Sequence, residues 1–140
     1  MSVISKKQYL QVLENLPILC VDIIVQNAKG EYLLVKRNNE PKKSRWWVVG
    51  GRLLKGESLE QAVVRKVKEE TGQRIRDIRP IGYFELINGA NPFGAAFEYH
   101  TVSVVFTAVI DGSDPVKLDT QSSEFKFSKK LPGDFKVRFF

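Results

Sequence analysis

Apolar residues recur every three or four positions in two segments of the chain, which is the spacing of one face of an α-helix. The first segment is residues 6–16. The second is residues 58–71, where Ser58 can cap the first turn, Gln61 follows three residues later and Gly72 stands just past the last turn. These patterns predict two helices.

Runs of β-branched and aromatic residues between turn-forming residues predict strands. The predicted strands are residues 19–26, 32–36, 46–49, 78–86, 99–110 and 124–127. The first two flank the sequence Asn-Ala-Lys-Gly and predict a hairpin, whereas residues 87–97 contain glycine and proline and predict a loop long enough to cover a site. The order of helix, strands, helix and strands predicts an α/β (α+β) fold, a mixed β-sheet sandwiched between helices.

The composition is ordinary for a globular protein, with 43% apolar and 27% charged residues in a chain of 140 without repeats or linkers. A single domain over residues 1–140 is expected. The sequence has neither a run of about 20 apolar residues nor a signal peptide, so a cytoplasmic protein without a membrane partner is expected. The net charge of +6 is scattered, which favours attraction of small anions over a nucleic-acid partner.

Several potential oxygen ligands surround the second predicted helix. Gly50 and Gly51 end the strand before it, so that the backbone can bend and expose carbonyl oxygens, and Glu69 and Glu70 lie near its end. Mg²⁺ is held by one or two carboxylates together with carbonyls, water and substrate phosphates. Carboxylates alone are more typical of a solvated helix face with salt bridges than of a metal site. Only the spacing of the whole segment distinguishes the two.

That spacing is long and specific: Gly51, five residues, Glu57, seven residues, Arg65, then Val67, the pair Glu69-Glu70, one residue and Gly72. It resembles the Nudix box. The resemblance implies a Nudix fold over nearly the whole chain and hydrolysis of a nucleoside diphosphate derivative. It also implies a site for Mg²⁺, or for Mn²⁺, on residues 51–72.

One departure from the family pattern bears on the metal site. Lys66 stands where the family usually has a glutamate, which commonly supports additional metal ions or general-base work. The replacement changes the local charge by about two units and disfavours a cluster of several ions. Lys66 could also pair with Glu70, four residues later. Val49 and Gln73 are smaller departures.

Within the family, the chain resembles the GDP-mannose mannosyl hydrolases, which also lack that glutamate. The resemblance rests on residues 17–37 and 46–60, on His100 and on Gln121. It implies attack at the anomeric carbon of a nucleoside diphosphate sugar, GDP-mannose-like, with release of the nucleoside diphosphate and the sugar.

The same resemblance implies roles for individual residues. The implied metal ligands are Gly50, Gly51, Glu69, Glu70 and Gln121. Arg37 and Arg52 would neutralise the charge on the departing diphosphate, because a guanidinium can bind two phosphate oxygens. Asp22 and His100 would hydrogen-bond the sugar. Tyr9 would stack on the base, across a homodimer interface as in the family.

The general base is the least determined part of the implied site. The mannosyl hydrolases have a histidine directly after the metal-binding glutamine, whereas this chain has Ser122. A serine cannot accept a proton at neutral pH, and general-base help is typically a factor of about 10²–10⁴. Glu124 is predicted as the replacement catalytic residue, with a solvated strand-end carboxylate as the alternative.

Two other functions stay open. One is cleavage of a nucleoside triphosphate or nucleotide sugar at phosphorus. The other is a nucleotide-binding Nudix module with weak catalysis, which Lys66 and Ser122 favour. The apolar pair Phe139 and Phe140 favours a homodimer.

Overall fold

The computed structural model describes residues 4–40, 42–91 and 97–140, with the backbone alone at residue 88. Within these residues there are two helices, α1 (Lys6–Asn15) and α2 (Leu59–Thr71). The strands of the described residues are β1 (Ile18–Gln26), β2 (Tyr32–Arg37), β3 (Trp46–Trp47), β4 (Val49–Arg52), β5 (Ile75–Gly89), β6 (Tyr99–Ile110), β7 (Ser122–Ser128) and β8 (Arg138–Phe139). Both predicted helices and all six predicted strand segments are present.

The strands form one mixed sheet. Their order is β3-β2-β1-β6-β5-β8, with β4 also paired to β1 and β7 to β2. β1 and β6 run parallel, whereas the remaining pairs run antiparallel. The prediction of a mixed sheet is confirmed, and β1 lies at its centre.

The segment predicted as one strand at residues 46–49 changes partner within the sheet. β3 pairs with β2, whereas β4 pairs with β1. The buried Val48 lies between the two strands. The expectation that the strand stops at the glycines is wrong, because Gly50 pairs with Asp22 and the ladder continues beyond it.

The ends of α2 follow the predicted capping residues. Ser58 accepts a hydrogen bond from the Gln61 N–H at 3.1 Å, and the Gln61 side chain accepts one from the Ser58 N–H at 2.8 Å. Gly72 ends the helix with φ of 71°. A residue with a Cβ would adopt this left-handed conformation at a cost of roughly 1–2 kcal/mol.

The two faces of the sheet are covered by different elements. On one face, Val63 and Val67 of α2 are buried against Val21, Ile23 and Val25 of β1. On the other face, a second cluster contains Ile24, Leu34, Trp47, Val48, Val105 and Phe135. α1 packs beside this second face, where its Leu13 contacts Ile18 and Cys20 of β1. The prediction of a sheet between helices is confirmed.

Two parts of the sheet differ from the prediction. β5 extends beyond residues 78–86 at both ends, and its pairing with β6 is irregular near Asp77, which has φ of 55°. β8 was not predicted; it pairs with β5 opposite Gly82, where a Cβ would collide with the Arg138 carbonyl. A two-residue strand has too little periodicity to be recognised from sequence.

The predicted loop at residues 87–97 is described only in part. β5 continues to Gly89, and residues 92–96 lie outside the described residues. Neither of the two described helices has the length and apolar character that crossing a membrane requires.

Candidate active site

A cleft of about 570 Å³ is lined by residues of both helices, of the central strands and of the loop before β7. Most of the predicted site residues line it: Tyr9, Asp22, Arg37, Gly50, Gly51, Arg52, Glu70 and Gln121. The fold therefore brings together side chains that are far apart in the sequence. Glu69, His100 and Glu124 are not part of this lining.

The glycine pair of β4 lets the backbone approach its neighbours closely. A Cβ at Gly50 would collide with the Asp22 carboxylate, and a Cβ at Gly51 would lie 2.5 Å from Cε of Lys66. A larger residue at Gly50 would require β1 to move, whereas one at Gly51 would displace the side chain of Lys66.

Glu70 is a buried carboxylate in the cleft. It is 3% exposed, and its Oε2 accepts a hydrogen bond from the Gly50 N–H at 3.3 Å. Burial raises the pKa of Glu70 to about 7; the positive charge of Lys66 opposes this rise, and the negative charge of Asp119 adds to it. A cation beside Glu70 would compensate the cost of burying its charge.

The oxygen donors of the cleft fit a divalent cation that takes its other ligands from substrate and water. Gln121 brings an amide oxygen, which accepts a hydrogen bond from Asn39 at 3.0 Å. Among the described residues, no three His, Cys, Asp or Glu side chains form a group that could hold an ion by themselves. One carboxylate with carbonyl oxygens is the donor set typical of Mg²⁺. Glu70, Gln121 and a carbonyl of Gly50 or Gly51 could hold it.

Glu69 was predicted as a further metal ligand, and it is not among the residues that line the cleft. Its side chain is 45% exposed, with Oε2 3.3 Å from Nη1 of Arg65 and 3.6 Å from Nζ of Lys66. Successive residues of a helix project in different directions. Glu69 therefore lies at the exposed side of Lys66, and its role as a metal ligand stays a prediction.

Glu57 and Arg65 of the box connect the loop after β4 to α2. Arg65 donates to Glu57 from Nη2 at 2.6 Å and from Nε at 3.0 Å, and to the Arg52 carbonyl at 3.1 Å. The hydrogen bonds from Arg65 hold the pKa of Glu57 below its usual value. These two residues position the loop and do not line the cleft.

Asp22 supplies a second buried carboxylate to the cleft. Burial raises the pKa of Asp22 to about 6, while a hydrogen bond from Ser103 and the charge of Arg37 act in the opposite direction. Thr101 and Ser103 line the cleft beside it. This polar part of the sheet can exchange hydrogen bonds with hydroxyl groups.

The charged side chains that line the cleft are mainly positive. They are Lys6, Arg37, Lys42, Arg52 and Lys66, against Asp22, Glu40 and Glu70. A concave surface with an excess of one sign of charge attracts ligands of the opposite sign. The cleft is therefore suited to a phosphate-bearing ligand.

Tyr9 and Arg52 interact directly across the cleft. Cζ of Arg52 lies 4.3 Å from the centre of the Tyr9 ring, a cation–π distance. Tyr9 also forms a hydrogen bond with Tyr99, whose pKa is raised, chiefly by burial. The predicted base-stacking ring and the predicted phosphate-binding arginine therefore share one end of the cleft.

His100 lies on the face of β6 that is turned away from the cleft, and Glu124 lies outside the cleft lining. His100 stands between Tyr99 and Thr101, which both line the cleft, and neighbouring side chains of a strand point to opposite faces. Glu124 pairs with Lys36 at 3.2 Å, and its side chain is 58% exposed. The structure does not bring either residue to the other predicted site residues.

Sequence reasoning missed several residues of the lining. Thr101 and Ser103 could have been recognised as lining residues from the sequence, because they are small hydroxyl residues at alternate positions of an apolar strand. No sequence pattern indicated Lys42. It reaches the cleft from an irregular loop, where its Nζ forms an ion pair with Asp134 at 2.7 Å.

Comparison with known proteins identifies relatives of this fold. The chain is 30% identical over 115 residues to the low-salt glycan biosynthesis protein Agl8 of Haloferax volcanii, covering 82% of this chain and 72% of the relative. It is 34% identical over 117 residues to the ADP-ribose pyrophosphatase of Methanocaldococcus jannaschii, covering 83% of this chain and 65% of that protein.

Similarity in three dimensions to a solved structure supports the fold. The crystal structure of the MutT NUDIX hydrolase from Burkholderia pseudomallei superimposes with a TM-score of 0.69 over 85% of this chain and 92% of that chain. At 21% sequence identity this likeness concerns the fold alone. The NUDIX domain family model matches residues 16–130, most of the sequence, and the chain therefore belongs to the NUDIX domain family.

Proposed function

We propose that this Nudix hydrolase uses Mg²⁺ to hydrolyse a nucleoside diphosphate sugar, GDP-mannose-like, into the nucleoside diphosphate and the sugar. The observation that carries the proposal is the buried carboxylate of Glu70 in a cleft with the positive charges of Arg37, Arg52 and Lys66. A diphosphate that departs as an anion is stabilised by such fixed charges.

The metal-binding part of the proposal rests on few protein ligands. Glu70, Gln121 and a carbonyl oxygen of Gly50 or Gly51 would hold the ion. Bound Mg²⁺ neutralises charge on the diphosphate and makes it a better leaving group. The Gly50 N–H, which donates to Oε2 of Glu70, orients the carboxylate.

The remaining cleft residues would bind the two ends of the substrate. Arg37 and Arg52 pair with phosphate oxygens, for which the guanidinium geometry is suited. Asp22 and Ser103 exchange hydrogen bonds with sugar hydroxyls. Tyr9 contacts the base from the end of the cleft where it meets Arg52.

The attacking water needs a proton acceptor close to the substrate. Asp22 is better placed for this role than Glu124, because it lies in the cleft and its pKa is about 6. Glu124→Gln is expected to leave the turnover of GDP-mannose unchanged. A loss of about tenfold or more in this variant would return Glu124 to the mechanism.

A product assay in H₂¹⁸O tests the proposed reaction. With GDP-mannose and Mg²⁺, attack at the anomeric carbon yields GDP and mannose that carries the label. Attack at phosphorus yields GMP and mannose phosphate, with the label on one of the two phosphates. The appearance of GMP would contradict the proposal.

A second candidate is pyrophosphate cleavage, which the similarity to an ADP-ribose pyrophosphatase favours. The same assay with ADP-ribose tests it, because cleavage at phosphorus yields AMP and ribose phosphate. A nucleotide-binding module with weak catalysis is the third candidate. It would bind GDP-mannose or ADP-ribose without turnover in either Mg²⁺ or Mn²⁺.

A further inference from the structure

Lys66 occupies a defined position on the cleft side of α2, one turn before Glu70. Its side chain is only 14% exposed. It fills the space that a side chain at Gly51 would need, since a Cβ there would lie 2.5 Å from Cε and 3.1 Å from Nζ. The close fit against β4 holds the ammonium group in the cleft.

The ammonium group of Lys66 lies among the residues of the cleft lining. Its charge opposes the burial-driven rise in the pKa of both Glu70 and Cys20. Its ion pair with Glu69 spans 3.6 Å and involves a carboxylate that is 45% exposed. That separation exceeds a hydrogen bond, so the pair orients Lys66 without using its N–H donors.

We propose that Lys66 binds the diphosphate of the nucleotide directly and takes the place of a second metal ion. An ammonium group beside Gly51 repels a second divalent cation and offers three N–H donors to phosphate oxygens. One divalent cation at Glu70 and one lysine then neutralise the two phosphates. This inference deepens the proposed function and rests on it for the nature of the ligand.

Nucleotide binding without metal provides the first test. The affinities of ADP and GDP are measured by calorimetry in EDTA for the wild type, Lys66→Met and Lys68→Met. Methionine keeps an unbranched stem against Gly51 and removes the charge. Lys68 is an exposed lysine of the same helix, outside the cleft lining, and serves as the matched control.

We expect Lys66→Met to weaken the binding of both nucleotides by about tenfold to a hundredfold, because it removes a charged hydrogen bond. Lys68→Met should bind like the wild type. Unchanged binding in Lys66→Met would overturn the proposal. If Lys66→Met lowers the melting temperature, Lys66→Gln replaces it, with the same expected result.

Counting metal ions provides the second test. Mn²⁺ bound per chain is measured by electron paramagnetic resonance in the presence of GDP. One ion is expected in the wild type and two in Lys66→Glu, which adds a carboxylate ligand. Two ions in the wild type would overturn the proposal. Neither experiment needs turnover, so failure to hydrolyse GDP-mannose is distinguished from failure of this inference.

Discussion

At the scale of single residues, Glu70 combines a functional position with a cost in stability. Its pKa rises from 4.5 to about 7 on folding. The carboxyl group of Glu70 is therefore mostly neutral in the folded, metal-free protein below about pH 7 and mostly ionised above it. Its contribution to stability is therefore complete below about pH 4.5 and is lost as the pH rises towards 7. Glu70→Gln removes this loss and keeps an acceptor for the Gly50 N–H.

We therefore expect Glu70→Gln to melt at a higher temperature than the wild type at pH 8 in EDTA. The same variant should lose metal-dependent turnover by about a hundredfold or more. The exposed Glu69 is also a predicted metal ligand, and Glu69→Gln tests that role. This variant should change the melting temperature and the Mn²⁺ affinity little. Equal losses of Mn²⁺ binding in both variants would restore Glu69 as a ligand.

Asp22 has the same sign of pH dependence at lower pH. Its pKa rises from 3.8 to about 6, so its contribution to stability is lost between these values as the pH increases. Asp22→Asn should gain stability at pH 7, on the order of 3 kcal/mol, and none at pH 3. The free energy of unfolding is measured by urea unfolding at both pH values. The measurement is made in the Glu70→Gln variant, because Glu70 titrates over part of the same pH range. Equal effects at both pH values would contradict the interpretation.

At the scale of elements, the contact between Glu57 and Arg65 connects a loop to α2. Their side chains are 16% and 21% exposed. Glu57→Gln should therefore lower the free energy of unfolding by about 1–3 kcal/mol at pH 7, because Arg65 loses a charged partner. The pKa of Glu57 is lowered, so its contribution is lost as the pH falls.

The measurement is urea unfolding of Glu57→Gln at pH 7 and at pH 3, where the difference from the wild type should shrink. Glu60→Gln, on the exposed first turn of the same helix, is the control and should change stability by less than about 0.5 kcal/mol. A pH-independent loss would point to packing as the cause.

Elements that are specified by neighbouring residues in the sequence were predictable. Strand pairings that depend on residues distant in the sequence were not. The capping residues Ser58 and Gly72 determine where α2 begins and ends through contacts within a few positions. The exchange of strand partners at Val48 depends on two distant strands, and no pattern of apolar residues records it.

At the scale of the whole molecule, the homodimer stays a prediction, together with the cytoplasmic location. Phe139 and Phe140 are 73% and 78% exposed at the edge strand β8. Phe139→Ser should lower the mass measured by sedimentation from that of a dimer to that of a monomer. Phe125→Ser, which changes an exposed aromatic residue on β7, is the control. A monomeric wild type would refute the homodimer.

The sequence by itself determined the two helices, most strand segments and the family spacing from Gly51 to Gly72, because caps, turns and periodicity are properties of neighbouring residues. Only the tertiary structure decided which carboxylate of α2 is buried in the cleft. Glu69 and Glu70 are adjacent, yet Glu69 has a side chain 45% exposed and Glu70 is a residue 3% exposed. Their environments differ because β4 approaches one side of α2 and solvent covers the other.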